Sequence, residues 1–236
     1  MLAHRATLPA AGEGIFTALE PHLKHRLDAV CHVQQHARGH VFCVEGDPAV
    51  VVTAILDGSV KLTRAGERGD PQLLRLLGPG DVFGLRPLLA GDTFAVAALA
   101  LEPVRTATYP GTVVRELLLE SPAFAMAVLS RLARDLRYSE DMLMVLTQRP
   151  VKRRIAEVLL LLHGRRIDGE DWAPFPPVRL KRKEIAQMVA TTPETLSRTL
   201  AEFAAAGLIR VDRRRVAIRD EAGLQRVERV GSRGRE

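Results

Sequence analysis

The sequence predicts an α+β protein in three parts: a small amino-terminal β-domain, one long helix, and a carboxy-terminal winged helix-turn-helix. Three observations lead there. Residues 31–110 are short apolar runs cut by turn signals, residues 121–149 carry leucines at alternating steps of four and three, and TTPETLSRTL (191–200) follows LKRKEIAQMVA after a short break. The parts are expected at 12–120, 121–149 and 150–225.

The β-domain opens with a helix over 12–30, where Ile15, Leu19, Leu23 and Leu27 recur every four residues. Turn signals then fall at EGDPA (45–49), DGS (57–59), AGERGDP (65–71), GPGD (78–81) and AGD (90–92). Short strands between evenly spaced turns argue for a small sandwich or barrel. The spacing predicts strands at Val51–Leu56, Val60–Thr63, Leu73–Leu77 and Ala95–Leu101.

The long helix starts at Ser121, with Pro122 in its first turn. Positions 125, 129, 132, 136, 139, 143 and 146 read Ala, Leu, Leu, Leu, Ser, Leu, Leu, the a/d pattern of a two-stranded coiled coil. Leu129, Leu132, Leu136, Leu143 and Leu146 are therefore the expected seam of a homodimer. The stripe runs for roughly six turns, longer than one domain face would usually cover. Pro150 ends the helix, because the residue before a proline avoids the α region. A further helix, VKRRIAEVLLLLH (151–163), and a Gly- and Pro-rich loop (164–178) lead to the helix-turn-helix.

In that motif Thr192 is placed to cap the second helix and Pro193 to occupy its first position, where a missing N–H costs nothing. Glu194, Ser197 and Arg198 share one face, and Leu196, Leu200 and Phe203 share the other. The first face suits base edges: arginine forks onto guanine, glutamate accepts from cytosine, and serine serves either role. Thr195, Lys181 and Arg182 join Thr192 as neighbouring candidates for DNA contact. Gly207 is expected to end the helix as its C′ residue. LIRVDRRRVAI (208–218) then reads as a hairpin wing with Asp212 and Arg213 at its turn, and Arg213, Arg214 and Arg215 as phosphate contacts.

Bulk composition agrees. Of 236 residues, 34 are Lys or Arg and 28 Asp or Glu, for a net charge of +6. Residues 151–236 hold 19 of the basic and 12 of the acidic ones, so the excess lies wholly with the helix-turn-helix. A polyanion is the partner such a footprint fits, and double-stranded DNA is the expected one. No apolar run is long enough to span a membrane, and no signal-peptide core is visible, so a cytoplasmic protein is expected. Cys31 and Cys43 are too few for a disulfide framework. No metal-ligand spacing, nucleophile motif or phosphate loop suggests an enzyme.

Over about residues 15–225 the chain resembles the Crp/Fnr family of bacterial transcription regulators. The words that carry the resemblance are VFCVEGDPA (41–49), ILDGSVKL (55–62), LLGPGDVFG (76–84) and KEIAQMVATTPETLSRTL (183–200). It implies a cyclic-nucleotide-binding-type β-roll for the sensor, an effector bound there, and RNA polymerase as a partner. Glu194, Ser197 and Arg198 resemble the E-x-x-S-R helix of the Fnr-like branch, which includes the Dnr and Nnr regulators and reads TTGAT half-sites in an inverted repeat. Ala190 stands where the family usually has glycine.

For the effector, the resemblance places a pocket at Gly84, Leu85, Arg86, Thr93 and Phe94. Cyclic-AMP binders of this fold follow the glycine with a glutamate for the ribose and supply an arginine–hydroxyl pair for the phosphate. Leu85 and Thr93-Phe94-Ala95 stand in those places, which argues against cyclic AMP. Two cysteines, with Ala107 near the family's later cysteine position, argue against an iron–sulfur cluster. Haem stays open as a cofactor, because His22, His25, His32, His36 and His40 fall close together. On an unbroken strand the last three would share a face, but Gly39 is expected to break it. Two rival readings remain: a regulator without cofactor, controlled by its abundance, and a ligand-binding module that contacts a partner protein.

Overall fold

In the computed structural model, which describes residues 14–66, 71–162, 181–212 and 215–229, the chain divides into two units, Met1–Arg137 and Tyr138–Glu236. The first unit begins with a 3-10 turn (Gly14–Ala18) and α1 (Pro21–Ala29). Eight strands follow: β1 (His32–His36), β2 (Val41–Cys43), β3 (Val51–Asp57), β4 (Val60–Ala65), β5 (Pro71–Leu77), β6 (Val82–Phe83), β7 (Ala97–Ala100) and β8 (Val104–Pro110). Helix α2 (Leu85–Ala90) lies between β6 and β7, and α3 (Gly111–Glu120) follows β8. The strands form two antiparallel sheets in the orders β1-β8-β3-β6 and β2-β7-β4-β5.

Strand β3 shows why this sequence makes a two-faced sheet. Val52, Ala54 and Leu56 point into a cluster with Leu23, Leu27, Val114, Leu117 and Phe124 from the helices. Ile55 points the other way, into the inter-sheet cluster of Cys43, Val60, Leu77, Phe83, Phe94 and Ala98. A strand buried on both faces reads as a continuous apolar run, as VVTAIL does.

The expected helix over 12–30 is divided in two. Pro21 lacks an N–H and steers Glu20 to extended backbone (φ −59°, ψ 147°), so the chain turns before α1 begins. Ile15, Leu19, Leu23 and Leu27 are nevertheless all buried in one cluster. The four expected strands are present with shifted ends. The sequence reading missed β1, β2, β6 and β8, and helices α2 and α3. Strand β1 is polar, HVQQH, because among the described residues it lies at a sheet edge, paired with β8 on one side.

Helix α4 (Pro122–Gln148) is the long helix expected from the sequence. Ser121 caps it, its Oγ accepting from the Phe124 N–H at 3.2 Å while donating to the Glu20 carboxylate at 2.7 Å. Phe124, Val128 and Arg131 face the β-domain and are buried.

The second unit carries α5 (Val151–Leu162), α6 (Arg182–Met188), α7 (Pro193–Ala205), β9 (Ile209–Asp212), β10 (Arg215–Ile218) and α8 (Glu221–Arg229). Strands β9 and β10 pair antiparallel. Helix α8, missed in the sequence, packs on α5. The loop 164–178 and His163 lie outside the described residues.

Candidate DNA interface and effector segment

Helices α6 and α7 form the helix-turn-helix. Ile185, Ala186 and Met188 of α6 and Leu196, Thr199, Leu200 and Phe203 of α7 are buried, which fixes which face of α7 is left outward. Lys181 precedes α6, and its N–H donates to the Glu184 carboxylate at 2.7 Å. Thr192 caps α7, accepting from the Thr195 N–H at 3.2 Å, with Pro193 at the first position. At the far end, Gly207 (φ 71°) completes a Schellman turn: Leu208 N–H reaches the Phe203 carbonyl and Gly207 N–H the Ala204 carbonyl, both at 3.0 Å.

The outward face is the one the sequence marks. Glu194 and Arg198 are exposed, and Ser197 and Thr195 are half-buried between them and the core. The Glu194 carboxyl is held below its ordinary range by its own backbone N–H and by Thr192. Arg182, at the start of α6, donates from Nη1 to Ser197 Oγ at 3.0 Å. Fifteen residues separate those two positions, so no local pattern in the sequence marks the bond.

The turn between the helices is strained. Ala190 has φ 47°, the sole non-glycine positive φ among the described residues. Its carbonyl accepts from Arg154 Nη2 at 3.3 Å, and Arg154 Nη1 donates to the Leu146 carbonyl at 2.8 Å. Arg154 is thus a buried residue supporting the turn that sequence reasoning did not single out.

The wing needs one correction. Asp212 pairs with Arg215 and ends β9, so it belongs to the strand rather than to the expected turn. Arg213 and Arg214 lie outside the described residues, and for Arg215 the backbone alone is described.

In the first unit, the five expected effector residues differ in burial. Gly84 (φ 94°) begins α2, and a Cβ there would lie 2.5 Å from the Val51 carbonyl oxygen. Leu85 is buried in the helix-side cluster, and Phe94 in the inter-sheet cluster. Arg86 and Thr93 are exposed. The Phe94 backbone pairs with the 46–47 turn, its N–H donating to the Asp47 carbonyl at 2.9 Å.

The histidines separate as well. His22, His25, His32 and His40 are exposed, and His36 is half-buried. The break at Gly39 is present, with β1 and β2 in different sheets. Even so, the chain reversal stacks His36 on His40 at 4.2 Å between centroids, and Phe42 stands T-shaped to both rings. His36 Nε2 lies 3.0 Å from Thr106 Oγ1, and burial followed by His40's charge lowers its pKa. Among the described residues no three His, Cys, Asp or Glu side chains converge as a metal site. Burial pushes the Cys43 thiol up to about 11 and raises Cys31, so neither resembles an activated thiolate.

A two-sheet roll, a long helix with an apolar stripe, and a capped recognition helix beside a two-stranded wing define a sensor-linked winged-helix regulator. Residues 33–121 match the cyclic nucleotide-binding domain and residues 153–227 the Crp-like helix-turn-helix domain. The chain is 32% identical over 216 residues to a CRP-like cAMP-activated global transcriptional regulator of Mycobacterium tuberculosis, covering 92% of this chain and 96% of that protein. It is 29% identical over 196 residues to the global nitrogen regulator of Synechococcus elongatus, covering 81% and 87% respectively. Among solved structures, FixK2 of Bradyrhizobium japonicum superposes with a TM-score of 0.72 at 23% identity, over 84% of this chain and 98% of that one. The chain belongs to the Crp/Fnr family of transcription regulators, which bind double-stranded DNA. Among the described residues no helix is long and apolar enough to cross a membrane.

Proposed function

We propose that this chain is a homodimeric, cytoplasmic, non-enzymatic regulator that reads an inverted repeat of TTGAT-like half-sites and works with RNA polymerase. The observation that carries the reading is the outward face of α7, where an ionised Glu194, a hydroxyl at Ser197 and the exposed guanidinium of Arg198 stand in register on a capped helix. This is the set of donors and acceptors that reads a major groove. The E-x-x-S-R spacing, with Pro193 rather than a basic residue before the glutamate, supports the Fnr-like choice of half-site.

The seam is supported by α4. Leu129, Leu136 and Leu143, seven residues apart, are 56%, 61% and 62% exposed, with Met126 and Met144 alongside. Leu132 instead packs partly on the β-domain core, and Leu146 is half-buried. A second copy of the helix covers the three exposed leucines in our reading.

For the effector, the segment around Gly84 offers no carboxylate in the place of Leu85, and Phe94 is spent on the core. The M. tuberculosis relative is named as cAMP-activated; here the chemistry favours an effector recognised without a ribose–carboxylate and phosphate–guanidinium pair. Haem is not favoured by the histidines: His36 has one face against His40 and Nε2 against Thr106, and the other four are exposed. The same burial of Leu85 and Phe94 favours, as a second reading, a regulator set by its abundance. A titration with ferrous haem checks this, with no stoichiometric Soret band expected; a band lost on His36→Ala would overturn it.

The DNA reading is tested by titrating matched and single-base-altered half-sites against two variants. Arg198→Ala is expected to cost about 1–3 kcal/mol per half-site and to relax guanine preference. Arg214→Ala is expected to weaken all sequences alike and to flatten the salt dependence. Identical behaviour of the two variants would contradict the assignment.

A further inference from the structure

We infer that Arg182 is a specificity-setting residue, which holds the Ser197 hydroxyl so that it presents a proton to a hydrogen-bond acceptor on the DNA. The inference rests on the DNA-binding reading above and deepens it. A serine alone in the major groove is ambivalent, able to donate or to accept. Arg182 removes that ambivalence. Its guanidinium carries donors and no acceptor, so in the 3.0 Å contact the Ser197 oxygen must accept. One lone pair is thereby committed, and the hydroxyl hydrogen is turned away from the cation.

A donor approaching the remaining lone pair would meet the positive charge of Arg182 at close range. An acceptor would be drawn to the proton, and a hydroxyl that accepts from a cation is itself a stronger donor. Ser197 is half-buried beside the buried Leu196 and Leu200, so its position is set by the helix rather than by solvent. The edges it suits are thymine O4, guanine O6 or N7, and adenine N7; the amino groups of cytosine and adenine are disfavoured. The other N–H groups of Arg182 can meet a phosphate at the same time, because the fork has five donors in all. Arg182 would then bind backbone and set base choice together, through Ser197 rather than by touching the base.

The test uses the full-length chain and a set of fluorescent duplexes in which each base pair of the half-site is altered in turn in both halves. Wild-type, Ser197→Ala, Arg182→Ala, the double variant and Arg182→Gln are titrated, with thermal melts to confirm that each is folded. Ser197→Ala is expected to flatten discrimination at one base pair by about five- to tenfold per half-site, the scale of one hydrogen bond. Arg182→Ala is expected to flatten the same pair, with no further loss at that pair in the double variant. Arg182→Gln, which keeps an N–H donor but no charge, should retain part of the discrimination. If Arg182→Ala lowers affinity by one factor on every duplex and leaves base preference intact, Arg182 is a phosphate anchor only and the inference falls while the DNA reading stands. A folded wild-type chain that binds no duplex overturns both.

Discussion

Ala190 occupies a backbone conformation suited to glycine, and the helix-turn-helix forms around it. The left-handed value, φ 47°, is held by the buried Arg154 on its carbonyl and by the Thr191 N–H, which donates to the Ala186 carbonyl at 3.0 Å. Replacing Ala190 with glycine should relieve the crowding of Cβ, partly offset by the extra freedom glycine gives the unfolded chain. A gain of about 0.5–1 kcal/mol is expected, read as a higher urea midpoint with unchanged slope. A loss would show that the turn is not strained. At this scale the sequence is legible where chemistry is local. A threonine cap, a proline one position on, and polar residues at i, i+3 and i+4 are all contained in TTPETLSRTL. The bonds from Arg182 to Ser197 and from Arg154 to Ala190 are not contained in any window, because the chain reverses between their ends.

The long helix illustrates the same limit one level up. Its heptad was readable, yet the sequence could not apportion the leucines between the chain's own core and a partner. The structure commits Phe124, Val128 and Arg131 to the β-domain and leaves Leu129 and Leu136 outward. The commitment is made by a buried ion pair: Arg131 Nη2 meets Asp81 Oδ1 at 2.6 Å, with side chains 10% and 7% exposed. Asp81 also accepts from the Gly78 N–H at 2.9 Å, and Asp135 joins Arg131 at 3.0 Å and Arg75 at 2.7 Å. Burial works against the charge on Arg131, but Asp81 and Asp135 outweigh it, so its pKa is raised. Asp81→Ala would take the closest carboxylate away from a buried guanidinium, at a cost of about 3 kcal/mol in denaturant unfolding. Asp81→Leu combined with Arg131→Met should recover much of that loss. Equal losses from the single and double variants would mean that packing, not charge, joins helix to sheet. Fifty residues separate Arg131 from Asp81, which is why GPGD read only as a turn. Edge strand β1 escaped for a different reason: paired on one side and largely exposed, it carries no apolar alternation.

For the whole molecule, oligomeric state and DNA binding stand together. An exposed leucine stripe repeating every seven residues fits the proposed two-fold dimer, whose recognition helices would have to meet successive major grooves about 34–36 Å apart, one helical turn of DNA. Replacing Leu136 and Leu143 with glutamate should convert a dimer to a monomer in sedimentation velocity without unfolding it. Affinity for a two-half-site duplex should then fall by about 10²–10⁴, the loss of bivalency. A variant that stays dimeric would place the seam elsewhere. The most direct measurement is an anisotropy titration of the chain against a TTGAT inverted repeat and a scrambled duplex, each over a series of salt concentrations. Binding to the repeat at least about a thousandfold tighter, with log affinity falling linearly in log salt, is the expected result. Equal affinity for both duplexes, or binding indifferent to salt, would contradict a sequence-reading regulator.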